Sequence, residues 1–497
     1  MKRQIFIRVK DQGSRVKGWL LVILSVLVVV PMYGREITSE AMSDILKFSD
    51  IYNCISENYV EKTDMSKLME YATEGMLSKL DPHSKYLTAQ QVKESEEQLQ
   101  GEFEGIGVSY IMLDDTLNVL RVIDGGPAQS SGIKIGDKLL YAGDVCLVGM
   151  QTDSIQYYIK GKRKTKVNVL VKRGGDTFRQ EITRDIIPIE SVVASYLVAP
   201  DVGLIHLDKF AMNTEDEAVS AIKGLKHKGA KKFIIDLRGN GGGYLHTATE
   251  LLSQFIPKGT LLVETKGYHR PDNRIESYSG YQKFLKEPLV VLIDGNSASA
   301  SEIFAGAMQD LGRAKIVGCR SFGKGLVQQP FRFSDGSEIR LTVSRYYTPK
   351  GRCIQRPYKD GEYVDSLEYG IYPDVYVEPD TARLTPFEIS LIKKQLPIKV
   401  SLKYYLGNRE ALSAIKSPEQ LYNELDVSAM LRDIENSLLD AGIDYTEKEF
   451  ADATPIMSLL VKALVAEYMF GRDAYQIIMN YESEEVKSAL DILAEIH

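Results

Sequence analysis

Two short apolar runs most narrow what this chain can become. Residues 233–237 (FIIDL) and 289–294 (LVVLID) each read as a buried strand. Each is followed by a segment of small residues and then by helical periodicity, over Tyr244–Phe255 and from about Ala298 to Leu311. Val202–Leu207 reads as a further strand, and Thr214 with Glu217 as the cap of a helix after it. Strands alternating with helices demand crossover connections, so this part of the chain predicts a sheet with parallel pairs. Asp335-Gly336 then turns a hairpin between Phe331–Phe333 and Ile339–Val343.

The flanking segments carry other periods. Residues 36–98 place Ile45, Phe48, Tyr52, Ile55 and Tyr59 at helical spacing. Asp81-Pro82 interrupts the pattern, and Thr88 with Gln91 writes a capping box. From about Gly101 to Asp185 the chain is β-rich, punctuated by Gly105-Ile106-Gly107, Gly125-Gly126-Pro127 and Gly136-Asp137, with a strand at Val167–Val171. The last ~110 residues are helical by the same periodicity. Three helix starts are explicit there: Thr385-Pro386 with Glu388, Ser417-Pro418 with Gln420, and Thr446 with Glu449. At roughly 100–200 residues per domain, 497 residues allow three or four domains.

Composition removes several classes. Apolar residues are 44% and charged residues 26%, which excludes a collagen-like, a wholly disordered or a polytopic membrane chain. The net charge of −7, with no long basic stripe, disfavours nucleic acid as a partner. Cys54, Cys146, Cys319 and Cys353 are far apart and form no CxxC pair, and the histidines form no HExxH pair, so neither a zinc site nor a dense disulfide framework is expected. At the N-terminus Lys2, Arg3, Arg8, Lys10, Arg15 and Lys17 precede an uncharged stretch, Gly18–Gly34. Its length, roughly 25 Å as a helix, is marginal for a bilayer. Residues 1–35 therefore read as a secretory signal peptide or an N-terminal membrane anchor, and the protein as exported to the cell envelope.

Three segments could carry chemistry. Residues 295–302 (GNSASASE) join a buried strand to a helix. A hydroxyl there meets free N–H groups and the positive end of the helix dipole, a setting for a tetrahedral oxyanion. The competing explanation is structural, since Ser299-x-x-Glu302 is itself a capping box. Residues 321–329 (SFGKGLVQQ) place Lys324 between two glycines. Burial would lower its pKa and let it act as a base. The rival phosphate-loop reading of 318–325 lacks the Ser/Thr that holds Mg²⁺ and the helix that should follow. Residues 236–243 (DLRGNGGG) follow a buried strand. Their glycines free N–H groups for close approach, although a tight turn needs no more than the same sequence. GxSxG is absent, and the SxxK strings at Ser131/Lys134 and Ser390/Lys393 look like chance.

Seven stretches in order resemble the carboxyl-terminal processing peptidases, or tail-specific proteases, of serine peptidase family S41. They are LDPHSKYL (80–87), FEGIGV (103–108), GGPAQSSGIKIGDKLL (125–140), DLRGNGGG (236–243), NSASASEIFAGAMQD (296–310), SFGKGLVQQ (321–329) and GIYPDVYV (370–377). The resemblance covers about residues 40–380. It implies a multidomain α/β fold: residues 36–98 an N-terminal helical region, 99–186 a PDZ domain, 187–384 an α/β serine-protease core and 385–497 a C-terminal helical region with no matching motif. It implies Ser299 as nucleophile, Lys324 as general base and Gln328 as its assistant, with the backbone N–H groups of Ala300 and Gly242 as oxyanion hole. No metal and no cofactor is required. In the PDZ domain, Gly105, Ile106, Gly107 and Val108 would hold the carboxylate of a peptide C-terminus. The sequence departs from the family at Lys164-Thr165, where a Gly-Thr step is usual.

The partners implied are protein or peptide substrates with free C-termini, and both N-terminal anchoring and a homo-oligomer are compatible with the sequence. Two other functions stand beside the endopeptidase: a catalytically inactive PDZ scaffold, and a structural envelope protein. Glu302 is expected to point away from the lysine, into the helix cap or solvent, because an ion pair would raise the lysine pKa. A straight strand from 324 to 328 would separate the Cα atoms of Lys324 and Gln328 by roughly 13 Å. The two side chains can meet only if the chain bends there, and Gly325 permits that.

Overall fold

The computed structural model describes residues 38–278, 280–378 and 384–496. The segment read as a signal or anchor, 1–35, lies outside them. The chain divides into two units, the first ending at Met69. Within that first unit the helix Ser39–Asn58 is capped by the Thr38 hydroxyl, which accepts from the Ala41 N–H at 3.2 Å, and none of its residues is buried.

In the second unit the capping box at Thr88 and Gln91 starts the helix Ala89–Gln100 as expected. The β-rich module is an antiparallel sheet in the order Val108–Leu113, Thr116–Val122, Lys138–Ala142, Lys166–Arg173, Asp176–Thr183. Its alternating residues Val167, Val169 and Val171 face a core shared with Ile155 and Ile159 of the helix Thr152–Ile159. Val108–Leu113 is the edge strand. Lys164, at the departure from the family pattern, has φ +66°, a conformation that glycine takes without a Cβ clash.

The α/β part is a six-stranded sheet in the order Val192–Ala199, Val202–Leu207, Lys232–Asp236, Leu289–Ile293, Lys315–Gly318, Val375–Tyr376. Only the first pair is antiparallel. The strand Leu289–Ile293 is apolar and buried at every position because both faces of the sheet are covered. Phe233, Ile235, Val291 and Ile293 pack with Ile222, Leu251 and Phe304 of the helices Thr214–His227, Leu245–Phe255 and Ala300–Asp310. Ile234, Val290 and Leu292 face the other way, onto Val486, Ala489 and Leu493 of the helix Glu484–Glu495.

That last helix packs apart from the rest of its segment. The segment 385–497 is helical throughout its described elements, and the anticipated starts at Thr385, Ser417 and Thr446 all form. Its body is a separate cluster around Met457 and Val461 of the helix Glu447–Phe470. Glu484–Glu495 instead supplies the second layer of the sheet. A correction concerns the helix cap expected at Thr214 and Glu217. The N-cap is Asn213, and the Glu217 carboxylate accepts the Ser191 and Val192 N–H groups at 2.7 and 3.0 Å. A second sheet pairs Glu338–Tyr347 with Lys85–Leu87, Leu261–Gly267 and Leu326–Arg332, and carries the expected hairpin with Gly336 at φ +87°.

Candidate active site

Parallel strands bring their C-terminal ends to one edge of a sheet, where the loops that follow them meet. Lys232–Asp236, Leu289–Ile293 and Lys315–Gly318 are consecutive neighbours, and the loops leaving them are the three segments singled out from sequence. The first two loops are tied together by backbone acceptors. Ser297 donates its hydroxyl to the Leu237 carbonyl at 2.7 Å, and Ser301 to the Asn240 carbonyl at 2.9 Å. Both serines are fully buried. Asp294 accepts the Gly239, Asn296 and Ser297 N–H groups, each at 3.0 Å.

Ser299 differs from its two neighbours. It is only half-buried, and it donates its hydroxyl to no described residue. Its backbone sits at φ +55°, ψ −113°, which costs a side-chain-bearing residue roughly 1–3 kcal/mol. The capping box forms, with the Ser299 N–H donating to Glu302 Oε2 at 2.9 Å. Accepting at a helix cap leaves the hydroxyl proton free, so the structural and the chemical explanation of this serine are compatible. The Ala300 N–H, at the first turn of the helix, makes no hydrogen bond among the described residues.

Gly242 lies against this loop. A Cβ there would fall 2.7 Å from the Ala298 carbonyl oxygen and 3.0 Å from the Ala300 nitrogen, and its φ of +99° also requires glycine. Its N–H, however, donates to Asn240 Oδ1 at 2.8 Å and is not free for an oxyanion. The N–H groups of Gly241 and Gly243 are the unengaged ones in this run. The local reason is the Asn240 side chain, which turns back over the glycines while its own amide donates to the Leu207 carbonyl at 2.8 Å.

Lys324 lies in the loop before the strand Leu326–Arg332, so no straight strand separates it from Gln328. Between Lys324 and Gln328 the strand register shifts at Val327–Gln328, and Gly323, ahead of the lysine, turns at φ +88°. Gly325 serves close approach. A Cβ there would lie 2.7 Å from the Gln355 nitrogen, and its N–H donates to Gln355 Oε1 at 2.8 Å. Burial, and next the Lys85 charge, hold the Lys324 pKa below its ordinary value, against the opposing pull of Glu302. Lys324 forms no ion pair among the described residues.

Glu302 does reach the helix cap, but it does not face solvent. It is fully buried, and besides Ser299 its carboxylate accepts the Ser321 hydroxyl at 2.5 Å, the Gly323 N–H at 2.7 Å and the Lys324 N–H at 2.8 Å. Burial pushes its pKa up, and these four donors pull it back down. One carboxylate thus binds the Ser299 loop to the Lys324 loop through their backbones. The sequence shows Glu302 only as a cap, because nothing in its spacing reveals the second loop.

Gln328 donates to Thr342 Oγ1 at 3.2 Å, and that hydroxyl donates to Asp81 Oδ1 at 3.0 Å. Asp81 also accepts the His83 and Ser84 N–H groups, both at 2.8 Å. The LDPHSKYL segment therefore borders the site, a role its motif alone did not suggest. His83 Nε2 lies 3.0 Å from the Tyr363 hydroxyl. Burial and the nearby Lys324 lower its pKa to about 4, which keeps the ring neutral at pH 7.

In the β-rich module, Gly107 has φ +80°, and the N–H groups of Ile106 and Gly107 make no hydrogen bond among the described residues. They open on a cavity of about 110 Å³ lined by Phe103, Val108, Tyr110, Gln156, Ile159 and Lys160, beside the edge strand.

Comparison with known proteins agrees with this division. Residues 31–91 match the family described as the activating protease CtpB N-terminal domain, 105–183 the PDZ domain, 201–377 peptidase family S41, and 388–471 a family of unknown function. The carboxy-terminal processing protease CtpA of Bacillus subtilis (strain 168) is 34% identical over 354 residues, 71% of this chain and 73% of that protein. A carboxy-terminal-processing protease of Bartonella bacilliformis is 33% identical over 381 residues, 75% of this chain and 84% of that one. Among solved structures, a photosystem II D1 C-terminal processing protease is 26% identical over 68% of this chain and 94% of that one, with a TM-score of 0.37. Identity of this extent across a PDZ domain and a protease core places the chain in peptidase family S41, among the carboxy-terminal processing proteases.

Proposed function

We propose that the chain is an exported serine endopeptidase that takes unstructured protein C-termini through its PDZ domain and cuts peptide bonds with a Ser299–Lys324 dyad. The observation that carries this reading is the division among the three serines of the SASAS run. Ser297 and Ser301 donate their hydroxyls to backbone carbonyls, and Ser299 alone keeps its proton undonated, next to the unengaged Ala300 N–H.

In this reading uncharged Lys324 takes the Ser299 proton as the hydroxyl oxygen attacks the scissile carbonyl. The tetrahedral oxyanion is met by the Ala300 N–H and by an N–H of the glycine run, of which Gly241 and Gly243 are unengaged. Lys324 then protonates the leaving amine, with Gln328 as its assistant. The N–H groups of Ile106 and Gly107 donate to the substrate's terminal carboxylate, with Gly105 and Val108 on either side, and the substrate adds as a strand to the free edge of Val108–Leu113. The basic flank and apolar run at the N-terminus support export.

The test is degradation of a loosely folded substrate with a free apolar C-terminus by purified protein. Wild type should cleave and Ser299→Ala should not. A wild-type protein that binds such peptides without cutting them would be the PDZ scaffold instead.

A further inference from the structure

The strand Glu338–Tyr347 passes behind the two catalytic loops and places Tyr346 between them. Its ring is buried in the main apolar core. Its hydroxyl lies 2.5 Å from the Lys324 carbonyl oxygen and 3.1 Å from the Ser299 carbonyl oxygen. On the opposite side of the same two residues, Glu302 Oε2 accepts the Lys324 N–H at 2.8 Å and the Ser299 N–H at 2.9 Å. The main chains of Ser299 and Lys324 are therefore joined amide to amide through one carboxylate oxygen, and their carbonyls share one phenol proton, with Lys324 the nearer acceptor at 2.5 Å and the Ser299 carbonyl also accepting the Glu302 and Ile303 N–H groups at 2.9 and 3.0 Å.

We propose that the Tyr346 hydroxyl is a positioning group for the reaction, holding Ser299 and Lys324 at their working separation by bridging their carbonyls. The inference rests on the reading of Ser299 and Lys324 as nucleophile and base.

Three physical arguments support it. Two carbonyl oxygens repel each other unless a donor lies between them, and the phenol supplies that donor. Burial holds the phenol pKa well above its ordinary value, so the proton is present at any pH at which the enzyme could work. Ser299 is held at an unfavourable positive φ, a conformation that persists only when its surroundings over-determine it. The carboxylate on its N–H and the phenol on its C=O do so from both sides. Proton transfer between side chains needs heavy atoms within about 2.6–3.2 Å, and a displacement of 1 Å costs on the order of a hundredfold in rate. Loosening the lysine loop also lets water reach the ammonium, which raises its pKa.

The test is Tyr346→Phe in the full chain, which keeps the ring and removes only the hydroxyl. We expect kcat to fall about 10- to 100-fold with KM within about twofold. The acid limb of kcat/KM should move to higher pH, and the rate at which a fluorophosphonate labels Ser299 should fall in parallel. Replacing Tyr346 by 4-aminophenylalanine, whose two N–H groups can serve both carbonyls, should restore most of kcat and return the limb. Wild-type kcat and an unmoved limb in a folded Tyr346→Phe would overturn the proposal. So would a loss of kcat that tracks melting temperature while the limb stays in place, because that is the signature of a structural role alone. If Tyr346→Phe does not fold, the aminophenylalanine protein decides: failure to recover turnover in a folded protein counts against the bridge. Ser299→Ala and Lys324→Ala run alongside separate this result from the dyad itself. Were either to retain wild-type turnover, the dyad reading would fail, whatever Tyr346 does.

Discussion

The Ser299 loop and the GIGV loop of the PDZ domain both present backbone N–H groups beside a glycine-rich turn, yet they are built in opposite ways. Around Ser299 the neighbouring polar groups are committed: Ser297, Ser301, Asp294 and Glu302 bind backbone from two other loops, and Tyr346 bridges two carbonyls. Around Ile106 the N–H groups are left open beside an unpaired strand edge. Chemistry needs positions that do not yield, and so strained backbone is held from several sides. Recognition of a peptide end needs donors that the substrate itself completes.

The comparison breaks most visibly at the dyad. Lys324→Ala should cut turnover by about 10³-fold or more, and adding Ser299→Ala should worsen it little, since the two act as a unit. Lys324→Arg should fail equally, because arginine stays charged. Steady-state rates on one substrate, with melting curves to show intact folds, check all three. Retained turnover in Lys324→Ala would remove the lysine from the mechanism.

Amidating the substrate's C-terminus tests the open loop. A lost charge-assisted interaction of about 1.5–3 kcal/mol corresponds to roughly 10- to 100-fold in binding. The change should appear in kcat/KM and in peptide affinity, not in the acid limb of the pH profile. Equal cleavage of amidated and free substrates would take the GIGV loop out of recognition.

The lysine should also reveal itself in stability. In the unfolded chain it titrates near ~10.4, and in the fold burial holds it lower. Between those values the folded protein binds fewer protons than the unfolded one, so this group makes stability rise with pH across that window. Below the folded pKa its full penalty remains. Lys324→Met should therefore be inactive yet more stable than wild type at pH 7, with the advantage shrinking as pH rises toward ~10.4. Urea midpoints at the two pH values measure it, and an advantage that does not depend on pH would reduce it to a packing effect.

The smallest effect belongs to the PDZ domain. Lys164 pays for its φ of +66° with no hydrogen bond from its side chain that explains the choice. Lys164→Gly should stabilise the protein by about 1 kcal/mol and leave cleavage unchanged. A loss of stability would show that the loop depends on the lysine itself.

Much of this molecule was legible because the signals were local. The capping boxes at Thr88, Thr385 and Thr446 formed as read, since an N-cap and its N3 partner lie within one turn. Thr214 and Glu217 carry the same pattern and did not form the box, because the Ser191 and Val192 N–H groups reach Glu217 from a neighbouring strand. Asn240 likewise engages the Gly242 N–H, shifting the free donors to other glycines of the run.

The sequence by itself determined the elements, their order, the family and the three loops that carry polar small residues, because periodicity, caps and glycine runs act over a few residues. Tertiary structure alone decided what those loops do to one another. Parallel order set three strand ends side by side, and a carboxylate read as a cap became the tie between nucleophile and lysine. A tyrosine that no sequence motif singles out came to lie between two carbonyls, and the final helix, remote in sequence, closed the second face of the sheet. These are pairings across 20 to 280 positions of chain, and no local pattern encodes them: a buried donor or acceptor takes whichever partner the packed core brings within 3 Å.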